Sequence, residues 1–174
     1  MRNGENEKMR ECDEELERQM YEMLIDRLES AGFEHYEISN FAKKTFRSRH
    51  NSCYWTGVPY IGLGAAAHSY DGKGRQWNVS NILQYMESIE RGVLPYEREE
   101  LDDDTRYNDR IVTALRTREG LSLSLLSPHY RQHLLASARR FIDSGLLICE
   151  NGNLHLSRNG LFVSDMVMSE LLLV

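Results

Sequence analysis

Within the stretch SRHNSCYWTGVPYIGLGAAAHSY, Ser48 to Tyr70, the residues His50, Asn51, Cys53, Tyr54 and Trp55 crowd together. Imidazole is the commonest protein ligand for iron and zinc, and aromatic rings make flat apolar walls. His50, next to Asn51 and with Tyr54 and Trp55 one helical turn further on, could therefore ligate the iron of a planar macrocycle such as a porphyrin. The same residues have a plainer use: a loop histidine bonded to the backbone, with Tyr54 and Trp55 packed beneath it. Cys53 could add a second ligand, although a cysteine in such a place is more often packing.

The run that follows, Gly62, Gly64, Ala65, Ala66 and Ala67, is not a dinucleotide fingerprint, because GLGAAA lacks the third glycine and has no clear acidic partner some twenty residues on. Small side chains at the C-terminal end of a parallel strand would still leave a shelf where an adenosine or another ring system can rest on the backbone. His68 and Ser69 would then point either to that site or into the core.

These groups need elements to position them. Leu16, Met20, Leu24 and Leu28, with Met23 and Ala31 beside them, recur at helical spacing from Asp13, and Gly32 stands where a helix-ending glycine would. FEHYEISNFA has the apolar, β-favouring content of a strand. Ser48 to Pro59 reads as a long loop, and YIGLGAAAH as a second, largely buried strand. Ser80 to Arg91 reads as a helix capped by Ser80, with Ile82, Leu83, Met86 and Ile89 on one side and Gly92 closing it. The polar run PYEREELDDD, with Pro95 as breaker, is the best candidate for a domain boundary, which divides the chain into 1–95 and 96–174.

Beyond that run the spacing predicts a helix over Asp104 to Arg118, with Tyr107, Ile111, Val112 and Leu115 inside. A second covers Pro128 to Ser144, carrying Tyr130, Leu134, Leu135, Ala138 and Phe141 and ended by Gly145. Asn151-Gly152 marks a hairpin inside LLICENGNLHLS, and a last helix is expected from Arg158 to Leu172. Helix, helix, hairpin, helix resembles a small winged-helix-like module. Arg131, Arg139 and Arg140, with His129 and His133, could make Pro128–Ser144 a DNA-recognition helix. The acidic flanks oppose that reading, and the same residues can simply solvate an outer face.

Composition narrows the classes further. With a net charge of -6 and 41% hydrophobic residues over 174 positions, the chain reads as a soluble globular protein and not as a general nucleic-acid binder. Cys12, Cys53 and Cys149 are odd in number and widely spaced, which suits reduced thiols in a cytosol. No stretch has the apolar length of a signal peptide core or a membrane span. A soluble, cytoplasmic protein without stable membrane insertion is the expectation.

Taken in order, YEISNFA, RHNSCYW, YIGLGAAAHSY, Trp77-Asn78, NDRIVTALRTREGLSL and NLHLSRNGLFVSDMVMSELL resemble the C-terminal half of the oxygen-independent coproporphyrinogen III oxidase family of radical SAM proteins. The HNxxYW motif, His50, Asn51, Tyr54 and Trp55, is closer to that family's heme-chaperone branch than to the oxidase. The resemblance covers the chain from about Asp13 to its end.

It implies an α/β fold: the last part of a partial (β/α) barrel followed by a small helical, winged-helix-like domain with a β-hairpin. It implies heme ligation by His50, with Asn51, Tyr54 and Trp55 around it, and S-adenosylmethionine resting near Gly62, Gly64, Ala66, Ala67 and His68. It implies partners too: heme or porphyrin, and a protein that accepts heme. The family's [4Fe-4S] cluster is held by a CxxxCxxC set that this sequence lacks, so radical chemistry and cluster binding are not expected of this chain, and Met1 to Glu11 reads as a start placed inside a longer parent. The competing class is an independent partner-binding module built on the winged-helix-like part.

Overall fold

The computed structural model describes residues 13–174. Cys12 and the Met1–Glu11 segment lie outside the described residues. Asp13 caps the first helix, α1 (Glu14–Ser30), its carboxylate accepting the Glu15 and Leu16 amides, and Gly32 follows its end with a positive φ of 82°. The inner side of α1, with Ile25 buried, lies on the hairpin of β1 (Phe33–Glu37) and β2 (Asn40–Lys43). The expected single strand FEHYEISNFA is thus two antiparallel strands. The Glu37 carboxylate makes the turn by accepting the Ser39 amide and the Asn40 side chain, a local fold-back that β-favouring content does not reveal.

Ser48 caps α2 (Arg49–Trp55), its hydroxyl accepting the Asn51 amide, so the expected loop is a helix. It buries none of its residues, and the apolar periodicity that signals a helix is accordingly missing. The expected buried strand YIGLGAAAH is irregular and buries none of its residues. Gly64 (φ 106°) and Ala66 (φ 58°) take left-handed conformations incompatible with a continuing strand. Only His68–Tyr70 forms a strand, β3, which pairs with β4 (Gly74–Asn78).

α3 (Ile82–Glu90) is capped by Asn81, not Ser80, through the Gln84 amide. The run expected as a polar linker supplies β5 (Tyr96–Glu100), which completes the antiparallel order β3-β4-β5. Its residues are exposed throughout, which is why an edge strand reads as a charged loop.

The C-terminal part matches its expected outline. α4 (Asp103–Ala114), capped by Asp102, buries Tyr107 and Ile111, while Val112 faces solvent. β6 (Leu121–Ser122), α5 (Pro128–Asp143), β7 (Leu147–Glu150) and β8 (Asn153–Leu156) follow, with sheet order β6-β8-β7. Asn151 and Gly152 both have positive φ, as a two-residue hairpin turn requires. The expected last helix is two short ones, α6 (Arg158–Leu161) and α7 (Ser164–Ser169), broken at Val163. One hydrophobic core gathers α4, α5, the three-stranded sheet and α7 around Ile111, Leu134, Leu154 and Leu171. A mixed α/β fold with a helical, hairpin-bearing C-terminal part is what the sequence led one to expect. Among the described residues, every strand pairing is antiparallel.

Candidate functional site

α2 presents His50 and Tyr54 to solvent, one helical turn apart. The Tyr54 hydroxyl lies 3.1 Å from His50 Nε2, and the rings meet edge to face with centroids 5.1 Å apart. Trp55 turns the other way and meets the buried Tyr36 ring at 6.0 Å. Asn51 is half-buried beside the cap. The structure therefore brings His50 and Tyr54 together on one exposed face and uses Trp55 to anchor the helix beneath them. Cys53 is half-buried, its thiol directed to the Arg49 carbonyl within the helix.

Beyond Tyr54 the aromatic contacts continue to Tyr60 (4.7 Å) and from Tyr60 to Tyr70 on β3 (6.2 Å). Paired backbone hydrogen bonds between Tyr60 and Tyr70 hold the last two in place. Burial pushes the Tyr60 phenol above its ordinary range, with the neighbouring Tyr54 adding to the effect. Tyr60 and Tyr70 were not singled out by spacing, since only the fold-back of the 56–67 loop places them beside Tyr54.

The glycine-alanine run divides between two uses. A Cβ on Gly62 would meet the His68 carbonyl oxygen at 2.1 Å, so that glycine serves the close approach of its own chain, and Gly64 serves a left-handed turn. Ala66 and His68, in contrast, line a cavity of about 350 Å³ with Trp77, Asn78, Asn81, Gln84 and Glu97. Gly62, Gly64 and Ala67 lie outside its lining. Asn78 is buried: its Nδ2 donates to the Gly64 carbonyl at 2.8 Å, and its Oδ1 has no partner among the described residues. The Trp77 indole N–H donates to Glu97 at 3.2 Å, and the His68 and Trp77 rings lie 6.2 Å apart. The shelf expected on a parallel strand is instead a hollow between an antiparallel sheet and the start of α3. Asn78, Gln84 and Glu97 are the lining residues that spacing missed, and the only sequence signal was the Trp77-Asn78 pair.

No group of three His, Cys, Asp or Glu among the described residues could hold a metal ion. Cys53 and Cys149 are separate free thiols, so these residues do not fit a four-iron cluster. On α5, Arg139 pairs with Asp143 and Arg140 with Glu170, while Arg131 bonds the Leu123 and Leu126 carbonyls. No described helix is long and apolar enough to cross a membrane.

Residues 101–163 match the family model described as the HemN C-terminal domain. The heme chaperone HemW of Bacillus subtilis is 30% identical over 87% of this chain and 39% of its own length. That of Mycobacterium tuberculosis is 33% identical over 92% of this chain and 40% of its own. The chain belongs to the HemN/HemW-like radical SAM family. It corresponds to that family's C-terminal part and spans about two-fifths of the length of the curated relatives it matches. The fold agrees: the HemN/HemW-like chain superposes on coproporphyrinogen III oxidase from Escherichia coli, a radical SAM enzyme, with a TM-score of 0.62 at 15% identity over 87% of this chain and 40% of the other.

Proposed function

We propose that this chain is the heme-facing C-terminal part of a radical SAM protein of heme metabolism, of the chaperone kind, in which His50 ligates heme iron. The observation that supports the reading is an exposed His50 with Tyr54 against it, in a chain similar over nine-tenths of its length to proteins named heme chaperones. Bound heme would supply an iron able to accept a nitrogen ligand. His50 meets it with a ring nitrogen lone pair, and the Tyr54 hydroxyl at 3.1 Å decides which nitrogen is free. If Tyr54 accepts from Nε2–H, Nδ1 carries the lone pair; if Tyr54 donates, it must swing aside for Nε2 to ligate. Asn51 borders this face, and Trp55 acts through the packing of α2. In the same reading, the cavity of Ala66, His68, Asn78 and Glu97 takes the adenosine part of S-adenosylmethionine, with Gly62 and Gly64 shaping its edge through the backbone. The iron-sulfur cluster belongs to residues of a full-length protein other than those described here. The setting is cytoplasmic, and a heme-accepting protein is the expected partner.

Hemin titration followed in the Soret region tests this. His50→Ala should shift the band and weaken binding about tenfold or more. Tyr54→Ala should weaken binding without changing the ligation spectrum, and His68→Ala should do neither. Unchanged spectrum and affinity in His50→Ala, or no binding by the parent chain, would overturn the assignment.

A further inference from the structure

α3 is amphipathic in the opposite sense to a helix packed on its own domain. Its inward side carries the buried Ser88 and the half-buried Tyr85, and the exposed Asn81 and Gln84 border the cavity beside His68, whereas Ile82, Leu83, Met86 and Ile89 point to solvent, Leu83 at 70% exposure. Val93 and Leu94 extend the apolar strip past Gly92. α1 repeats the arrangement in part: Tyr21, Ile25 and Leu28 lie inward, and Leu16, Met20, Met23 and Leu24 form an exposed stripe on the adjoining side. Ile61 and Leu63 are exposed as well, at 83% and 88%. On α3 the exposed apolar residues are neighbours along one helix and its end, which marks an interaction face in contrast to scattered single residues.

We propose that the outward face of α3, with Val93 and Leu94, docks the portion of a HemN/HemW-like radical SAM chain that lies outside the matched region, whether in the same polypeptide or a separate one. The outward stripe of α1 is a second contact of the same kind. The inference rests on the family assignment and not on heme binding. About three-fifths of each relative lies outside the match, which is ample chain to cover both helices. Because α3 also supplies Asn81 and Gln84 to the cavity beside His68, docking there sets the docked portion beside that cavity. Charge disfavours the other occupants. Glu87 and Glu90 flank the α3 strip and Glu14, Glu15 and Glu17 flank the α1 stripe, so a second copy of this -6 chain would bring like charges together. An anionic membrane surface meets the same repulsion.

The test co-expresses this chain with the unmatched portion of the Bacillus subtilis HemW and measures co-purification and methionine oxidation by peroxide. A one-to-one complex is expected, with Met20, Met23 and Met86 protected relative to the free chain, Met166 on α7 oxidised equally in both, and the buried Met168 slow in both. Leu83→Glu with Met86→Glu should weaken the complex at least about tenfold while leaving the circular dichroism of the free chain unchanged. Arg139→Glu on α5 should change nothing. Absence of a complex, a complex insensitive to the α3 pair, protection of the same methionines in a self-associated chain, or their protection by anionic vesicles would each overturn the proposal. Hemin binding is not read, so failure here is separable from failure at His50.

Discussion

Glu37 at the end of β1 and Arg116 after α4 join the two parts of the chain across 79 positions. Glu37 Oε1 accepts Arg116 Nε at 2.9 Å and Nη2 at 2.8 Å, and the carboxylate is 1% exposed. Around it, the Ile38 amide donates to the Arg116 carbonyl and the Arg118 amide to the Tyr36 carbonyl, a short antiparallel seam. A buried carboxylate is tolerated because its oxygens are filled from Arg116, Ser39 and Asn40. Arg116→Met strands that charge and should cost about 3 kcal/mol in urea unfolding. Adding Glu37→Gln should recover part of the loss. Additive losses in the double variant would show that the pair is not coupled.

Two glycines of the 62–64 turn should respond differently to alanine. At Gly62 the new methyl would lie 2.1 Å from the His68 carbonyl oxygen, so the loop must shift away from β3, at a cost of about 3 kcal/mol. At Gly64 nothing lies within 4 Å, and only the left-handed φ is strained, at about 1 kcal/mol. Thermal unfolding of the two variants checks the order, and an equal loss at both would contradict it.

Tyr107 gives the core an alkaline edge. It is almost fully buried, its hydroxyl donates to the Leu171 carbonyl at 2.9 Å, and burial pushes its pKa up to about 12 from 10.0. The native state therefore holds the phenolic proton more tightly than the unfolded chain does. Its stabilisation is complete below pH 10 and is lost as pH rises from 10 towards 12, on the order of 2–3 kcal/mol. Tyr107→Phe should flatten that part of the stability curve; an unchanged slope would assign it to other groups.

We propose that the region beginning near Leu101 folds as a unit. The buried cluster runs from Tyr107 to Leu171 within that region, whereas residues 14–100 contribute few fully buried apolar side chains. Limited proteolysis should leave a resistant fragment of about Leu101–Val174. Because β5 is paired to β4, the proposed unit begins after Glu100. First cuts inside α5 or β7 would sink the idea.

What could be read from the sequence was what local chemistry dictates. The apolar spacing of α1, α4 and α5, the glycines that end helices and the Asn151-Gly152 turn all express preferences of a few adjacent residues, and each stands where it was expected. His50 and Tyr54 were legible for the same reason, since a spacing of four sets side chains together once the segment is helical. Tertiary contact decided the rest. The helix α2 carries no periodic signal because it buries none of its residues, and β5 is a strand only because β4 offers it hydrogen bonds. Asn78 reaches the Gly64 carbonyl, and Arg116 the Glu37 carboxylate, across distances in sequence that no local preference spans. The apolar stripe of α3 was visible as a pattern, but a pattern says only that one face avoids water. That this face points outward, with Ser88 turned in, follows from how α3 is packed against the rest of the chain.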